Sequence, residues 1–332
     1  MRALLRTAGE CLVFDCSLDW VTDLIGEGAG PALRELDPHH APDLLAASVH
    51  VRVDSSHRAF TASGWNRLTR GAWQRDDELV LENVCTSGFD LQLTRQPGGV
   101  EFTYRWRPPP RDRAAALALR SRFHLLARSV LMQYPALWCA GIRGRAPLHA
   151  AAWTNGESTP LVTAASGIGR STLLEHELES GSRATGDNLA VGDGTTLWGL
   201  VEPMRVVGGG GRRMPHGRRE TAMSGRVDAL APDAVVVLER GAMDDPSLRR
   251  CDSARAERAL VTSTYMAAEL RRYWSFAATL TAGTDLGPAH PPITEVASAF
   301  AAVRPCFVLT LGTTPKAHLS ELLTALEVAE CA

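Results

Sequence analysis

The stretch that decides the fold reads LVTAASGIGRSTLLEHEL, Leu161–Leu178. Pro160–Ala165 has the apolar run of a buried strand, a glycine turn follows, and Ser171–Glu179 reads as a helix. A phosphate loop has this layout. Glycines let backbone amides converge on phosphate oxygens, and the helix N-terminus adds partial positive charge. The full pattern is G-x-x-x-x-G-K-[ST]. Here Ala164 takes the first glycine position, Gly169 the second, Arg170 the lysine position and Ser171 the hydroxyl position.

The lysine of such a loop reaches the β- and γ-phosphates as a compact cation. Arginine keeps the charge but is planar, larger and forked, so the exchange is not conservative. Lys316 is the only lysine among the 35 basic side chains, so none stands nearby in sequence to replace it. Ser171 keeps the hydroxyl that a magnesium ion would use. Three readings are open from the loop alone: a glycine turn without a ligand, weak or non-hydrolytic nucleotide binding, and a working phosphotransferase. No cofactor is certain, and ATP with magnesium is the one such a loop would take.

Outward from the loop, short apolar strands alternate with helices. Leu189–Val191, Thr196–Leu200, Asp233–Glu239 and Cys306–Leu311 are expected strands, and Ala254–Arg272 and Lys316–Val328 expected helices. Such alternation argues for an α/β layer fold from Gly144 onward. Gly208–Gly211, with Arg212, Arg213, Arg218 and Arg219, reads as a mobile loop, and Thr284–Pro292 as another.

The N-terminal half has a different texture. Its first 50 residues read as irregular α/β with turns at Gly26–Pro31 and Asp37–Pro42. Ser48–Val53 and Glu78–Val84 are strand candidates. Phe89, Leu91 and Leu93, then Val100, Phe102, Tyr104 and Trp106, recur at the period of half-buried strands, joined by a hairpin at Gln96–Gly99. This predicts a small antiparallel sheet. After Pro108–Pro110 one long helix is expected from Asp112, with Leu119, Phe123, Leu126, Val130, Tyr134 and Leu137 on its apolar stripe. Arg113, Arg120 and Arg128 fall off the stripe, and Pro135 is expected to end or kink the helix. The expected domains are 1–143 and 144–332.

Composition narrows the function classes. The chain has 332 residues, 45% hydrophobic and 22% charged, with a formal net charge of −2, so bulk charge points to no polyanion partner. The arginines at 212–219 lack interleaved aromatics, which argues against nucleic acid. The seven cysteines show no C-x-x-C spacing and read as reduced thiols. Neither a signal peptide nor a membrane-length apolar run is visible, so a cytoplasmic protein without membrane contact is expected.

The order around the loop resembles the HPr kinase/phosphorylase-like P-loop family. Pro147-Leu148-His149-Ala150-Ala151 precedes the loop, as a His-Gly or His-Ala strand does in that family. Ser166, Gly167, Gly169 and Ser171 match its G-x-S-G-x-G-K-S loop, and Asp187 matches one member of its acidic pair, with Gly186 in the other position. Val235–Gly241 resembles its next core strand. The resemblance implies a cofactor-binding set of Ser166, Gly167, Gly169, Arg170, Ser171 and Thr172. It implies catalytic positions at Asp187 and His149 if the chain is active, and magnesium on Ser171 and Asp187 if nucleotide binds. An aspartate there takes a proton from the attacking hydroxyl.

The whole-chain arrangement, with FDLQL…FTYRWRP and QYPALW…RGRAPLHAA, looks like the accessory recognition proteins of actinobacterial daptide-type clusters, which make modified ribosomal peptides. That implies a precursor-peptide partner, a peptide-modifying enzyme partner and a pseudokinase-like loop. Strand addition to a sheet edge is a physical route to leader binding. Arg105, Arg107, Arg143 and Arg145 are the expected contacts to an acidic leader. The alternative function is an ATP-dependent kinase acting on a peptide or protein hydroxyl.

Overall fold

The computed structural model describes residues 1–36, 49–96, 99–214, 217–282, 284–312, 318–319 and 321–324. The protein is mixed α/β. It divides into two compact units, Met1–Arg143 with Arg271–Ala289, and Gly144–Leu270 with His290–Ala332. The sequence reading did not foresee that Arg271–Ala289 joins the first unit.

In the first unit the strands are β1 (Arg2–Thr7), β2 (Glu10–Cys16), β3 (Leu33–Glu35), β4 (Val49–Asp54), β5 (Asn66–Thr69), β6 (Ala72–Arg75), β7 (Glu78–Leu81), β8 (Phe89–Gln96) and β9 (Gly99–Trp106). They form one sheet in the order β3-β1-β2-β4-β9-β8-β7-β6-β5. The expected small antiparallel sheet is thus a nine-stranded mixed one, because β4 pairs parallel with both β2 and β9. Period-two alternation places Phe14, Val51, Phe102, Leu91 and Leu93 on one buried face. The register Gln96↔Gly99 closes the expected hairpin, whose Pro97 and Gly98 lie outside the described residues. Gly26 and Gly28 lie within helix α1 (Asp19–Ala29) rather than in a turn.

The expected single helix is three helices and a wide turn. Helix α2 (Pro110–Ala118) stops at Leu119, whose φ of −119° and ψ of 58° are not helical, and Leu119 is exposed instead of on a stripe. Helix α3 (Arg120–Arg128) leads through a π turn at Ser129–Gln133 into α4 (Tyr134–Ile142). The π turn answers Pro135, which has no N–H to give and crowds the preceding turn; widening the turn lets the helix continue. Arg128 is buried, with Nε donating to the Leu24 carbonyl and Nη2 to Glu27. The Tyr104 hydroxyl donates to the Val130 carbonyl, and Trp138 packs edge-on against Phe102, which seats these helices on the apolar face.

The second unit contains strands β10 (Ala146–Leu148), β11 (Ala150–Thr154), β12 (Pro160–Ala164), β13 (Arg183–Ala184), β14 (Ala190–Gly192), β15 (Leu197–Gly199), β16 (Met204–Val207), β17 (Arg218–Thr221), β18 (Ala229–Leu230), β19 (Ala234–Arg240), β20 (Ser247–Arg250) and β21 (Cys306–Leu311). Its helices are α5 (Arg170–Glu179), α6 (Ser253–Met266) and α8 (Ile293–Ala302). Helix α7 (Ala268–Thr281) begins here and continues in the first unit, so the helix expected at Ala254–Arg272 is two, parted at Ala267.

The main sheet runs β13-β11-β12-β19-β21-β20, with β12, β19 and β21 parallel. Central parallel strands are covered on both faces, which explains the unbroken apolar run AVVVL of β19 and the burial of all five residues of β12, Thr163 included. A second sheet is β10-β14-β15-β18. Residues 208–212, expected as a loop, carry no strand and follow β16, while Arg218 and Arg219 lie in β17, which pairs with β16; Met204 and Val206 of β16 are buried in the core. The turn expected at Asp37–Pro42 and most of the closing helix, with Lys316, lie outside the described residues.

Candidate functional site

All five residues of β12 are buried, and the chain then turns through Ala165–Gly169 into α5. Gly167 and Gly169 have φ of +86° and +128°, a region that side chains disfavour. A Cβ on Gly169 would also stand 3.0 Å from Leu311 Cδ1. No side chain caps the start of α5, so its first-turn amides lack intrahelical acceptors. Ser166, Gly167 and Thr172 are exposed, which leaves the turn open to an anion.

Arg170 is not placed like the lysine of a phosphate loop. Its side chain is buried, and its guanidinium faces four internal acceptors. Nε donates to the Asp187 carbonyl at 3.0 Å and Nη1 to the His149 carbonyl at 3.0 Å. Nη2 donates to His149 Nε2 at 2.9 Å and to the Asn188 carbonyl at 3.3 Å. The expected phosphate-binding cation therefore serves as an internal clamp.

His149 lies between β10 and β11 and is 5% exposed. Its backbone N–H donates to Thr264 Oγ1 at 3.1 Å. Burial, then the charge of Arg170, pushes its pKa down to about 3, so the ring is neutral at ordinary pH. Arginine only donates, so in this contact Nε2 accepts, which puts the proton on Nδ1, a buried atom without a hydrogen-bond partner. The Asn188 side-chain amide lies 3.1 Å from the same Nε2, and with Nε2 accepting it turns its NH2 toward the ring. With Nε2 already taken by Arg170, His149 has no free lone pair for general-base chemistry.

Asp187 is 4% exposed. Ser171 Oγ donates to its Oδ2 at 3.0 Å, while Oδ1 is buried with no hydrogen-bond partner. Ser171 and Asp187 are therefore together, as expected for a magnesium pair. Their oxygens suit a hard cation that draws its remaining ligands from phosphate and water. No group of three or more His, Cys, Asp or Glu side chains positioned for a metal occurs among the described residues.

A second charged cluster was not foreseen. Glu202 Oε1 accepts the Leu189 N–H at 3.1 Å. Arg205 lies 3.3 Å from Glu202 and 3.1 Å from Glu269. Burial pushes Glu202 up to about 7 against the pull of Arg205, and Glu269 and Asp187 add repulsion. Burial, the largest single influence, would raise Glu269 too, but Arg205 and a backbone hydrogen bond together hold that carboxyl below its usual range. The i, i+3 spacing of Glu202 and Arg205 was the available signal. Segment Asp187–Leu189 is thus gripped by Arg170 through two carbonyls and by Glu202 through one amide.

The four arginines expected to meet a leader peptide are each engaged inside the protein. Arg105 pairs with Asp54 at 2.9 Å and lies 4.2 Å above the Phe60 ring. Arg107 pairs with Asp90. Arg143 pairs with the buried Glu10 at 2.9 Å, in the first unit. Arg145 lies 3.8 Å over Trp198, in the second. Each has a partner within its own unit, which lowers the charge it offers to a ligand.

No protein-family model matches the chain, and no curated protein matches it. Among the described residues no helix is long and apolar enough to cross a membrane.

Proposed function

We propose that this chain is a non-transferring member of the HPr-kinase-like P-loop group, acting as an accessory protein in ribosomal peptide maturation. In this reading it binds the precursor leader and assists a modifying enzyme. The observation that carries the loss of phosphoryl transfer is Arg170. The residue that would neutralise β- and γ-phosphate charge is buried against His149, Asp187 and Asn188. A cation directed away from the loop cannot stabilise charge developing on the transferred group. Supporting the peptide half of the reading, β5 ends the large sheet as an exposed strand, and an extended peptide adds to such an edge through main-chain hydrogen bonds.

The test combines purified chain, a candidate precursor and its modifying enzyme, with and without ATP and magnesium. The expected result is precursor binding and faster modification, both indifferent to nucleotide. Absence of both effects would remove the accessory role.

The kinase reading retains one favourable observation, the Ser171–Asp187 pair with a spare carboxylate oxygen. If ATP does bind, magnesium held by these two side chains would screen phosphate charge. Asp187 would then orient the acceptor hydroxyl. Gain of a phosphate on the peptide, lost in Asp187→Asn, would establish this alternative.

A further inference from the structure

We infer that Cys251 and Cys306 form a cross-strand dithiol that hydrogen peroxide closes to a disulfide, a covalent modification site apart from the phosphate-loop turn. The geometry starts from the antiparallel pairing of β20 with β21, where Arg250 faces Phe307. One residue further the register puts Cys251 opposite Cys306, and the Cys251 N–H donates to the Cys306 carbonyl at 2.9 Å. Hydrogen-bonded antiparallel partners stand about 5.5 Å apart at Cα, inside the range of about 4.4–6.8 Å that a disulfide spans. Directly opposed residues project to the same side of a sheet. The Arg250 guanidinium lies over the Phe307 ring, 5.4 Å from its centre, which fixes that pair on one side and leaves the cysteine pair on the other.

The two thiols differ in access. Cys251 is half-buried, and burial pushes its thiol up from the ordinary value against the pull of Arg255. Cys306 is 5% exposed, and its Sγ contacts the carbonyls of Ala301 at 3.5 Å and Arg304 at 3.4 Å. A turn about its Cα–Cβ bond releases those weak contacts and swings the sulfur to its neighbour. Burial, then the facing Cys251, pushes the Cys306 thiol up to about 11. Cys251 is the more accessible of the two, so peroxide reaches it first.

The chemistry balances in two steps. Peroxide transfers one oxygen to the Cys251 sulfur, its O–O bond breaks, and one water leaves, giving a sulfenic acid. Cys306 sulfur then attacks Cys251 sulfur as the S–O bond breaks, and the departing hydroxide takes the thiol proton to leave as a second water. Two thiols lose two protons and two electrons, and one hydrogen peroxide is reduced to two waters.

The bond would tie β21 to the start of α6. Asp252, next to Cys251, caps that helix by accepting the Arg255 N–H at 2.6 Å. Farther along the same helix, Thr264 holds the His149 backbone. Closing the loop between residues 251 and 306 restricts the unfolded chain, so the oxidised protein melts at higher temperature than the reduced one.

The experiment treats the reduced full-length protein with hydrogen peroxide, blocks remaining thiols with N-ethylmaleimide, and maps the peptides by mass spectrometry. The expected product is a single Cys251–Cys306 linked peptide, reversed by dithiothreitol, with a raised melting temperature. Cys251→Ser should keep the reduced melting temperature and lose the oxidative rise. Cys306→Ala, which leaves no polar group in the buried position, should also show no rise and trap Cys251 as a sulfenic acid detectable with dimedone. Linkage of other cysteines in the native protein, or Cys251 passing to sulfinic acid while Cys306 remains alkylatable, would overturn the assignment.

Discussion

Arg170 donates from Nη2 to His149 Nε2 across 2.9 Å, so a permanent cation leans on a ring that cannot be charged at the same time. This one contact ties the loop-to-helix junction to the strand pair before it. After burial it is the second cause of the neutral state of His149, and it directs the arginine inward.

Removing the clamp should be costly. Arg170→Met leaves the carbonyls of His149, Asp187 and Asn188 without these donors, in a region with little water to replace them. The expected loss is about 3–5 kcal/mol of unfolding free energy by urea titration. Arg170→Lys should recover part of it, because one ammonium cannot reproduce the fork. A loss below about 1 kcal/mol in Arg170→Met would mean that the guanidinium is not held as described.

Glu202 gives a pH dependence of defined sign. Its folded pKa is raised to about 7 from an ordinary 4.5. Between those values the folded protein holds the proton more tightly than the unfolded chain. The associated stability is full below about pH 4.5 and is lost as pH rises through 7. The scale is up to about 3 kcal/mol. Glu202→Gln should remove this slope from the stability curve, measured by denaturant titration between pH 4.5 and 8. Parallel wild-type and variant curves would show that Glu202 is not desolvated.

His149 acts in the opposite sense. Its folded pKa is depressed to about 3 from 6.5, so the unfolded chain takes up protons first on acidification. Stability contributed by the neutral ring is complete above about 6.5 and is lost as pH falls toward 3. Nitrogen chemical shifts of labelled histidine should report the Nδ1–H tautomer at neutral pH, unchanged down to about pH 4. A ring titrating near 6.5 would contradict both its burial and its contact with Arg170.

The glycine turn can be tested without a ligand. Gly169→Ala puts a side chain at a φ of +128° and within 3.0 Å of Leu311 Cδ1. A loss of about 1–3 kcal/mol is expected in thermal or urea unfolding. Gly156→Ala, at a φ of +98° with open space around it, should cost less because only the backbone strain is present.

The central strands were legible because each buries both faces and so reads as an unbroken apolar run, as in Val235–Leu238. The β8–β9 hairpin was legible for the opposite reason, strict alternation. What escaped depended on partners distant in sequence. Parallel pairing of β4 with β2 and β9 leaves no local trace. The break at Leu119 is a backbone choice inside a sequence of good helix formers. At the site, the motif located Ser171 and the family resemblance Asp187, while the hydrogen bond between them came from the structure. The direction of the Arg170 side chain was not, since a fork with that many donors follows whichever carbonyls the fold assembles. Glu202 and Glu269 stand 67 positions apart in the chain and meet through Arg205 alone.

The segment Arg271–Ala289 has a consequence for how the protein is made. Trp138 donates its indole N–H to the Leu286 carbonyl, and Tyr134 packs its ring against Tyr273 and Phe276. During synthesis the N-terminal residues emerge first, yet these contacts must wait until most of the chain has left the ribosome. A fragment ending at Arg143 would meet solvent with aromatic surface uncovered, so dissecting the protein calls for a spliced gene that carries the later segment along.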